Sequence, residues 1–463
     1  MNRDFVELPV VDHAAKAARF ISDTARTAWH DKSLWHLREK RDRAAAGVGD
    51  WEELRDLASR IKDHTLSRLD EYLVEFEQRA TANGIEVHWA RNADEHNDIV
   101  FGILKARGVR QMVKSKSMLT EECGLNPHLE ARGIEVVDTD LGERIVQLAG
   151  DTPSHIVAPA IHFKQEEIAA LFHDRMGTDA RALDPQYLTE AARQDLRATF
   201  LKADAAVTGV NFAIAETGGF VVVTNEGNAD LGCHLAPVHV ACLGIEKLIP
   251  RLEHLAVFLR LLARSATGQA ITAYTSLFHR PEPGRALHVV IVDNGRTDQL
   301  ARPHFRASLK CIHCGACMNT CPVYRRSGGH SYGATIPGPI GSILAPGIGM
   351  RTYAALPFAS TLCGSCSDVC PVKIDIHEQL FRWRQEVSMH GDRPTGNRYL
   401  MNVAGWVFGR PLVYRIAGQM VRWLLRHLPR QLMYFRGNVW GRAREMPQTP
   451  KRSFHAWHKE ARG

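Results

Sequence analysis

Seven of the ten cysteines fall in two short runs, Cys311-x2-Cys314-x2-Cys317-x3-Cys321-Pro322 and Cys363-x2-Cys366-x3-Cys370-Pro371. Any fold of this chain must gather those runs or leave seven thiols without a role. Three thiolates spaced three residues apart wrap one iron–sulfur cube, while a fourth, before a proline, turns away and reaches another cube. That cross-over makes the two runs one unit. It assigns Cys311, Cys314, Cys317 and Cys370 to a first cluster, and Cys321, Cys363 and Cys366 to a second.

The first run has the spacing of a two-cluster bacterial-type ferredoxin. The second run lacks a member, because its first ligand position holds Ser360. Its cluster is therefore a three-iron centre, or a four-iron cube with a non-cysteine or solvent ligand on one iron. CxxC pairs also suit tetrahedral zinc, but four thiolates followed by proline fit cubanes better. Clusters need reduced thiols, which points to the cytoplasm. Met1–Phe20 carries Asp4, Glu7 and Asp12 and no apolar run, so it reads as neither signal nor transit peptide. No stretch approaches the ~18 uninterrupted apolar residues of a membrane span.

At 463 residues, more than one domain is expected. Residues 1–69 read as an N-terminal helical region. Helical spacing extends over 14–83, with Trp51, Leu54, Leu57, Ile61, Leu69, Leu73 and Phe76 recurring between charges. A helix then ends in glycine and a strand begins at once, three times over: Asn83-Gly84-Ile85, Arg107-Gly108-Val109 and Arg132-Gly133-Ile134. Glycine past a helix end takes the left-handed conformation that closes it. Helix–strand alternation at this interval predicts right-handed crossovers and a mainly parallel sheet. The α/β domain, 70–300, continues through Arg144–Leu148, Gly219–Thr224, a helix near Leu252–Ala263, and Leu287–Asp293. The cysteine domain follows at 301–390, and its Gly- and Pro-rich middle, Ser327–Arg351, reads as a long ordered loop. From 391 onward lies an aromatic, basic region. Within it, residues 421–463 hold ten Lys/Arg (Arg422, Arg426, Arg430, Arg436, Arg442, Arg444, Lys451, Arg452, Lys459, Arg462) against Glu445 and Glu460, a local net charge of +8 in a protein of +7.

Ligands collect at the carboxyl ends of strands in open α/β sheets, which makes Asn225, Glu226 and Asn228 pocket candidates after the strand Phe220–Val223; turn chemistry explains them equally. Lys114 and Lys116, before a helix opened by Thr120-Glu121-Glu122, form a candidate anion site, with solvated strand-end lysines as the alternative. Cys233-His234, Cys123 and Cys242 read as packing. Neither Gly47-Val48-Gly49 nor Gly347-Ile348-Gly349 completes a dinucleotide fingerprint. The tail, with Trp406, Phe408, Tyr414 and Trp423 among its arginines, suits a membrane surface, an acidic partner, or a helix docked on the protein's own body. No nucleic-acid motif accompanies its charge.

Further segments carry a family resemblance: Cys321-Pro322-Val323-Tyr324-Arg325-Arg326-Ser327-Gly328-Gly329-His330, Pro337-Gly338-Pro339-Ile340-Gly341, Leu362-Cys363-Gly364, Cys370-Pro371-Val372-Lys373-Ile374-Asp375, Thr139-Asp140-Leu141-Gly142-Glu143 and Thr224-Asn225-Glu226-Gly227-Asn228. Together they resemble the lactate-utilization protein B family over nearly the whole chain. The resemblance implies a LUD domain related to CoA-transferase-like α/β folds, then an α-helical ferredoxin domain and a family-typical C-terminal region. It also implies two [4Fe-4S] clusters and membership of a three-protein cytoplasmic system oxidising L-lactate to pyruvate. An electron-transfer subunit is the leading expectation. A cube with three cysteines would leave one iron open to a hydroxy acid, with Glu226 or a lysine of the Lys114/Lys116 pair assisting. A second expectation makes the α/β domain a catalyst or binding module for organic acids or thioesters, and a third is an iron–sulfur regulator using the basic tail on nucleic acid.

Overall fold

The computed structural model describes residues 9–390, 395–429, 434, 445, 448–462. Asp4 and Glu7, and in the basic region Arg430, Arg436, Arg442 and Arg444, lie outside the described residues. The chain divides into two compact units, one ending at Met389 and one beginning at His390.

The first unit opens with helices His13–Ser22, Thr24–Ala46, Trp51–Ser67 and Leu69–Ala82. Trp51, Leu54, Ile61, Leu69 and Phe76 are buried, whereas Leu57 is exposed. Leu34, Trp51, Leu54 and Ile61 share one apolar core with Ile312, Met318, Tyr324 and Ile340 of the cysteine segment. The N-terminal helices are therefore part of that segment's scaffold. Their basic side chains fasten it. Arg55 donates to the carbonyl of Cys370 at 3.0 and 2.9 Å, and Arg41 to that of Val369 at 3.0 Å.

Ten strands follow: β1 (Glu86–Ala90), β2 (Gln111–Lys114), β3 (Glu135–Asp138), β4 (Ala205–Gly209), β5 (Phe212–Ile214), β6 (Gly219–Thr224), β7 (Val238–Gly244), β8 (Leu248–Ile249), β9 (Tyr274–Phe278) and β10 (Ala286–Val292). The junction glycines Gly84, Gly108 and Gly133 sit at φ 85°, 66° and 83°, the left-handed closure expected of them. One sheet is six-stranded and wholly parallel in the order β1-β10-β7-β4-β2-β3. Its interior strands β7 and β10 are buried along their whole length, as a sheet covered on both faces requires.

A second, four-stranded sheet, β8-β5-β6-β9, is largely antiparallel. β6 belongs here, so Asn225 and Glu226 do not follow a strand of the parallel sheet. Arg144–Leu148 lies inside the helix Leu141–Ala149. The helix expected near Leu252–Ala263 runs Leu252–Thr267.

Ser327–Arg351 is not a loop. It contains a 3-10 turn, Gly329–Tyr332, and a helix, Gly338–Ile348, with Pro339 in its first turn, where a missing N–H costs nothing. Glycine there answers a packing demand: a Cβ on Gly341 would stand 1.6 Å from the Ile336 carbonyl oxygen. The second unit contains helices Thr395–Phe408, Pro411–His427 and Phe454–Ala461. Many large apolar side chains described there are exposed, among them Trp406, Tyr414 and Trp423, while Val407, Val413 and Leu425 are half-buried.

Candidate functional site

The cysteine thiols gather into two groups in this fold, and none forms a disulfide. Cys370 acts electrostatically on Cys311, Cys314 and Cys317, three residues far from it in sequence. Cys321 is likewise a neighbour of Cys363 and Cys366. Cys317 senses Cys366, so the two groups adjoin.

Burial pushes the thiol of Cys311 up to about 11 and that of Cys366 up to about 12, and raises Cys314, Cys317, Cys321 and Cys370 as well. Like-charge repulsion among neighbouring thiolates adds to this. Buried thiolates at this density need a polycationic core to share, and iron–sulfur cubes supply one. Backbone N–H groups already point at the sulfurs. His313 donates to Cys311 at 3.4 Å, Tyr324 to Cys321 at 3.5 Å and Ile374 to Cys370 at 3.4 Å. Such bonds stabilise the anionic sulfur and raise a cluster's potential. The residues present fit the group. Ser360, at the vacant ligand position, uses its hydroxyl to accept the Leu362 N–H at 3.1 Å.

The surroundings of the two groups differ. Cys363 is exposed and Cys366 is buried. The first group lies deeper, against the α/β body, where Lys247 donates to His313 Nδ1 at 3.0 Å. Lys62 reaches the carbonyls of Glu246 and Leu248. Burial and Lys247 lower the Lys62 ammonium to about 8. Burial alone would raise Glu246, yet Arg296 and Lys247 hold it down to about 2. Arg296 is shared between Glu246 at 2.5 Å and Glu122 at 3.0 Å. Lys62, Lys247 and Arg296 thus face two carboxylates beside Cys311, a surplus of positive charge that an anionic cluster on these thiols would balance. None of these partners is visible in the cysteine spacing.

A cavity of about 440 Å³ opens at the carboxyl ends of β2, β4 and β7 and runs to His313 of the first cysteine run. Ser115, Lys116, Asn225, Glu226 and Asn228 line it, the last three reaching over from the second sheet. Lys116 bonds Asp140 Oδ2 at 3.2 Å and the Val157 carbonyl at 3.0 Å. Glu226, exposed at the mouth of the cavity, accepts the Leu141 N–H at 3.0 Å, and partial desolvation together with Asp140 pushes its carboxyl upward. A carboxyl so perturbed in a cavity suits proton transfer. The buried hydroxyl of Ser115, in the cavity wall, has no hydrogen-bond partner among the described residues.

Two sequence expectations change here. Lys114 is not part of an anion site, nor is it solvated: it is fully buried, 2.8 Å from both Glu121 and Asp138 and 3.7 Å from Glu143. Three carboxylates already surround its charge. The adjoining helix begins at Met118, capped by Ser117, and not at Thr120. Moreover, the cavity bearing Glu226 and Lys116 meets the first cysteine run; Cys321, Cys363 and Cys366 are not among its lining residues. An open iron in the second group would therefore lack their help. Cys123, Cys233 and Cys242 are buried in apolar clusters, and Cys242 also lies 3.2 Å from His96 Nε2 and lines the cavity.

Known proteins align with this division of the chain. Residues 73–294 match the LUD domain, 307–374 the 4Fe-4S dicluster domain, and 385–462 the lactate utilisation protein B C-terminal region. Lactate utilization protein B of Bacillus pumilus is 39% identical over 452 residues, covering 95% of each chain. Its counterpart from Shouchella clausii is 41% identical, covering 91% of each chain. A protein of Escherichia coli described as "Uncharacterized electron transport protein YkgF" is 39% identical, covering 89% of each chain.

Proposed function

The chain belongs to the lactate utilization protein B family, and from that premise we propose that it is the iron–sulfur electron-transfer subunit of a multi-protein system oxidising L-lactate to pyruvate in the cytoplasm. An iron–sulfur electron-transfer role in lactate utilization follows from the dicluster domain and the relatives. The particular reaction and the partner subunits are our reading. We assign Cys311, Cys314, Cys317 and Cys370 to one [4Fe-4S] cluster, and Cys321, Cys363 and Cys366 to a second whose remaining ligand is not a cysteine of either run.

The observation that carries this reading is the contrast between the two thiol groups. One group includes an exposed thiol, and the other abuts an α/β cavity through His313. Lactate oxidation releases two electrons and two protons, whereas a cubane passes one electron at a time. Two adjoining clusters between the α/β cavity and the exposed Cys363 would form a relay. When bound, the clusters supply the redox chemistry. The chain's own residues set the potentials, with Lys247, Lys62 and the N–H donors stabilising the reduced, more negative state.

The Ser115 hydroxyl and the raised Glu226 carboxyl favour a second reading, in which the α/β domain itself binds an organic acid or thioester. EPR of the anaerobic protein with its partner proteins, before and after L-lactate, separates the two. Lactate-dependent appearance of reduced-cluster signals is expected. Clusters that dithionite reduces but lactate does not would leave only the binding-module reading.

A further inference from the structure

From Arg393 to Arg444 the sequence carries ten arginines and neither aspartate nor glutamate. Eight aromatic residues are interspersed among them. A surface helix on a protein body ordinarily mixes both signs of charge, and this stretch cannot neutralise itself. Its helix Pro411–His427 shows how the residues are arranged. At 3.6 residues per turn, Arg415, Arg422 and Arg426 fall in one stripe about 40° wide. Leu412, Ile416, Met420 and Trp423 lie outside that stripe, and they are 68%, 54%, 61% and 59% exposed. Tyr399, Trp406 and Phe408 of the preceding helix are exposed as well. No helix among the described residues is long and apolar enough to cross a membrane.

We propose that the helix Pro411–His427 and its neighbour Thr395–Phe408 dock in the plane of an anionic lipid bilayer, apolar side chains entering the acyl boundary and arginines meeting lipid phosphates. Charge complementarity selects this occupant. A broad apolar face with a narrow arginine stripe and interfacial aromatics is the pattern of helices that lie on a membrane without spanning it. Guanidinium groups bind phosphate bidentately. Docking of this kind would hold the redox unit at a surface where lipid-soluble electron carriers are available. The inference does not depend on which substrate feeds the clusters.

The test is co-sedimentation of the full-length, cluster-loaded protein with vesicles of phosphatidylcholine alone and of phosphatidylcholine with one quarter phosphatidylglycerol, at 50 mM and 500 mM salt. Binding is expected on the anionic vesicles, at least tenfold tighter than on the neutral ones and weakened by salt. Each arginine near an anionic surface contributes about 1 kcal/mol, so R415Q/R422Q/R426Q should bind about a hundredfold more weakly. Trp423→Ala with Ile416→Ala should weaken binding while keeping the salt dependence. Unchanged iron content and EPR in these variants show that the first unit is intact. Absence of binding at 50 mM salt, equal binding to both vesicle types, or full retention by the triple variant overturns the proposal. So does a salt-sensitive complex with an acidic protein formed in place of vesicle binding.

Discussion

Replacing Cys370 with alanine is expected to remove the cluster built on the other cysteine run. The EPR of the reduced variant should lose one of two signals, and iron should fall by about four atoms per chain. Cys363→Ala should instead damage the second cluster. If each run served only itself, Cys370→Ala would spare the signal that Cys314→Ala removes. The reason to expect otherwise is spatial: the Cys370 thiol lies in the field of Cys311, Cys314 and Cys317, and Arg55 fixes its carbonyl from the N-terminal helices. Losing a ligand that closes a buried thiolate group leaves three raised thiols together, so reduced solubility should accompany the lost cluster.

Lys114→Met is the second large effect. The ammonium is fully buried among Glu121, Asp138 and Glu143, and burial pushes the Glu143 carboxyl up to about 8 despite Lys114. Lys114 therefore offsets the burial of these neighbouring carboxyls. Removing one partner of a buried ion pair costs about 3–5 kcal/mol, since the other charge stays behind unpaired. The urea midpoint of the far-UV signal should fall accordingly. Lys114→Met with Asp138→Asn should recover part of the loss, because the stranded charge is gone. An unchanged midpoint in the single variant would mean that Lys114 contributes no net stabilisation.

These two cases mark what can be read from the chain alone. The cysteine runs and the three Gly-closed helix–strand junctions are local patterns, in which residues a few positions apart determine geometry. They made the parallel sheet legible and suggested which thiols lie together. The second sheet was not legible, because β5 and β8 have three and two residues and pair across long intervals. The helix Gly338–Ile348 was hidden by its composition: Gly341 and Pro339 look like loop residues, yet one is required by close packing and the other is tolerated in the first turn.

The role of Lys114 depends on Asp138 and Glu143, which no periodicity ties to it. The link between the cavity and the first cluster depends on His313 meeting Lys247, a contact across 66 positions. A histidine between two ligand cysteines was the one local hint of that contact. Strand-end logic pointed to Glu226 and Asn225, which line the cavity although the strand before them belongs to the other sheet.

The central claim is that seven thiols hold two adjoining iron–sulfur clusters, and iron and sulfide analysis of anaerobically purified protein tests it most directly. The expected result is about eight iron atoms with matching sulfide per chain, or about seven if the second cluster is a three-iron centre, and a brown protein whose colour bleaches on chelation. Colourless protein with zinc at the cysteines would contradict it.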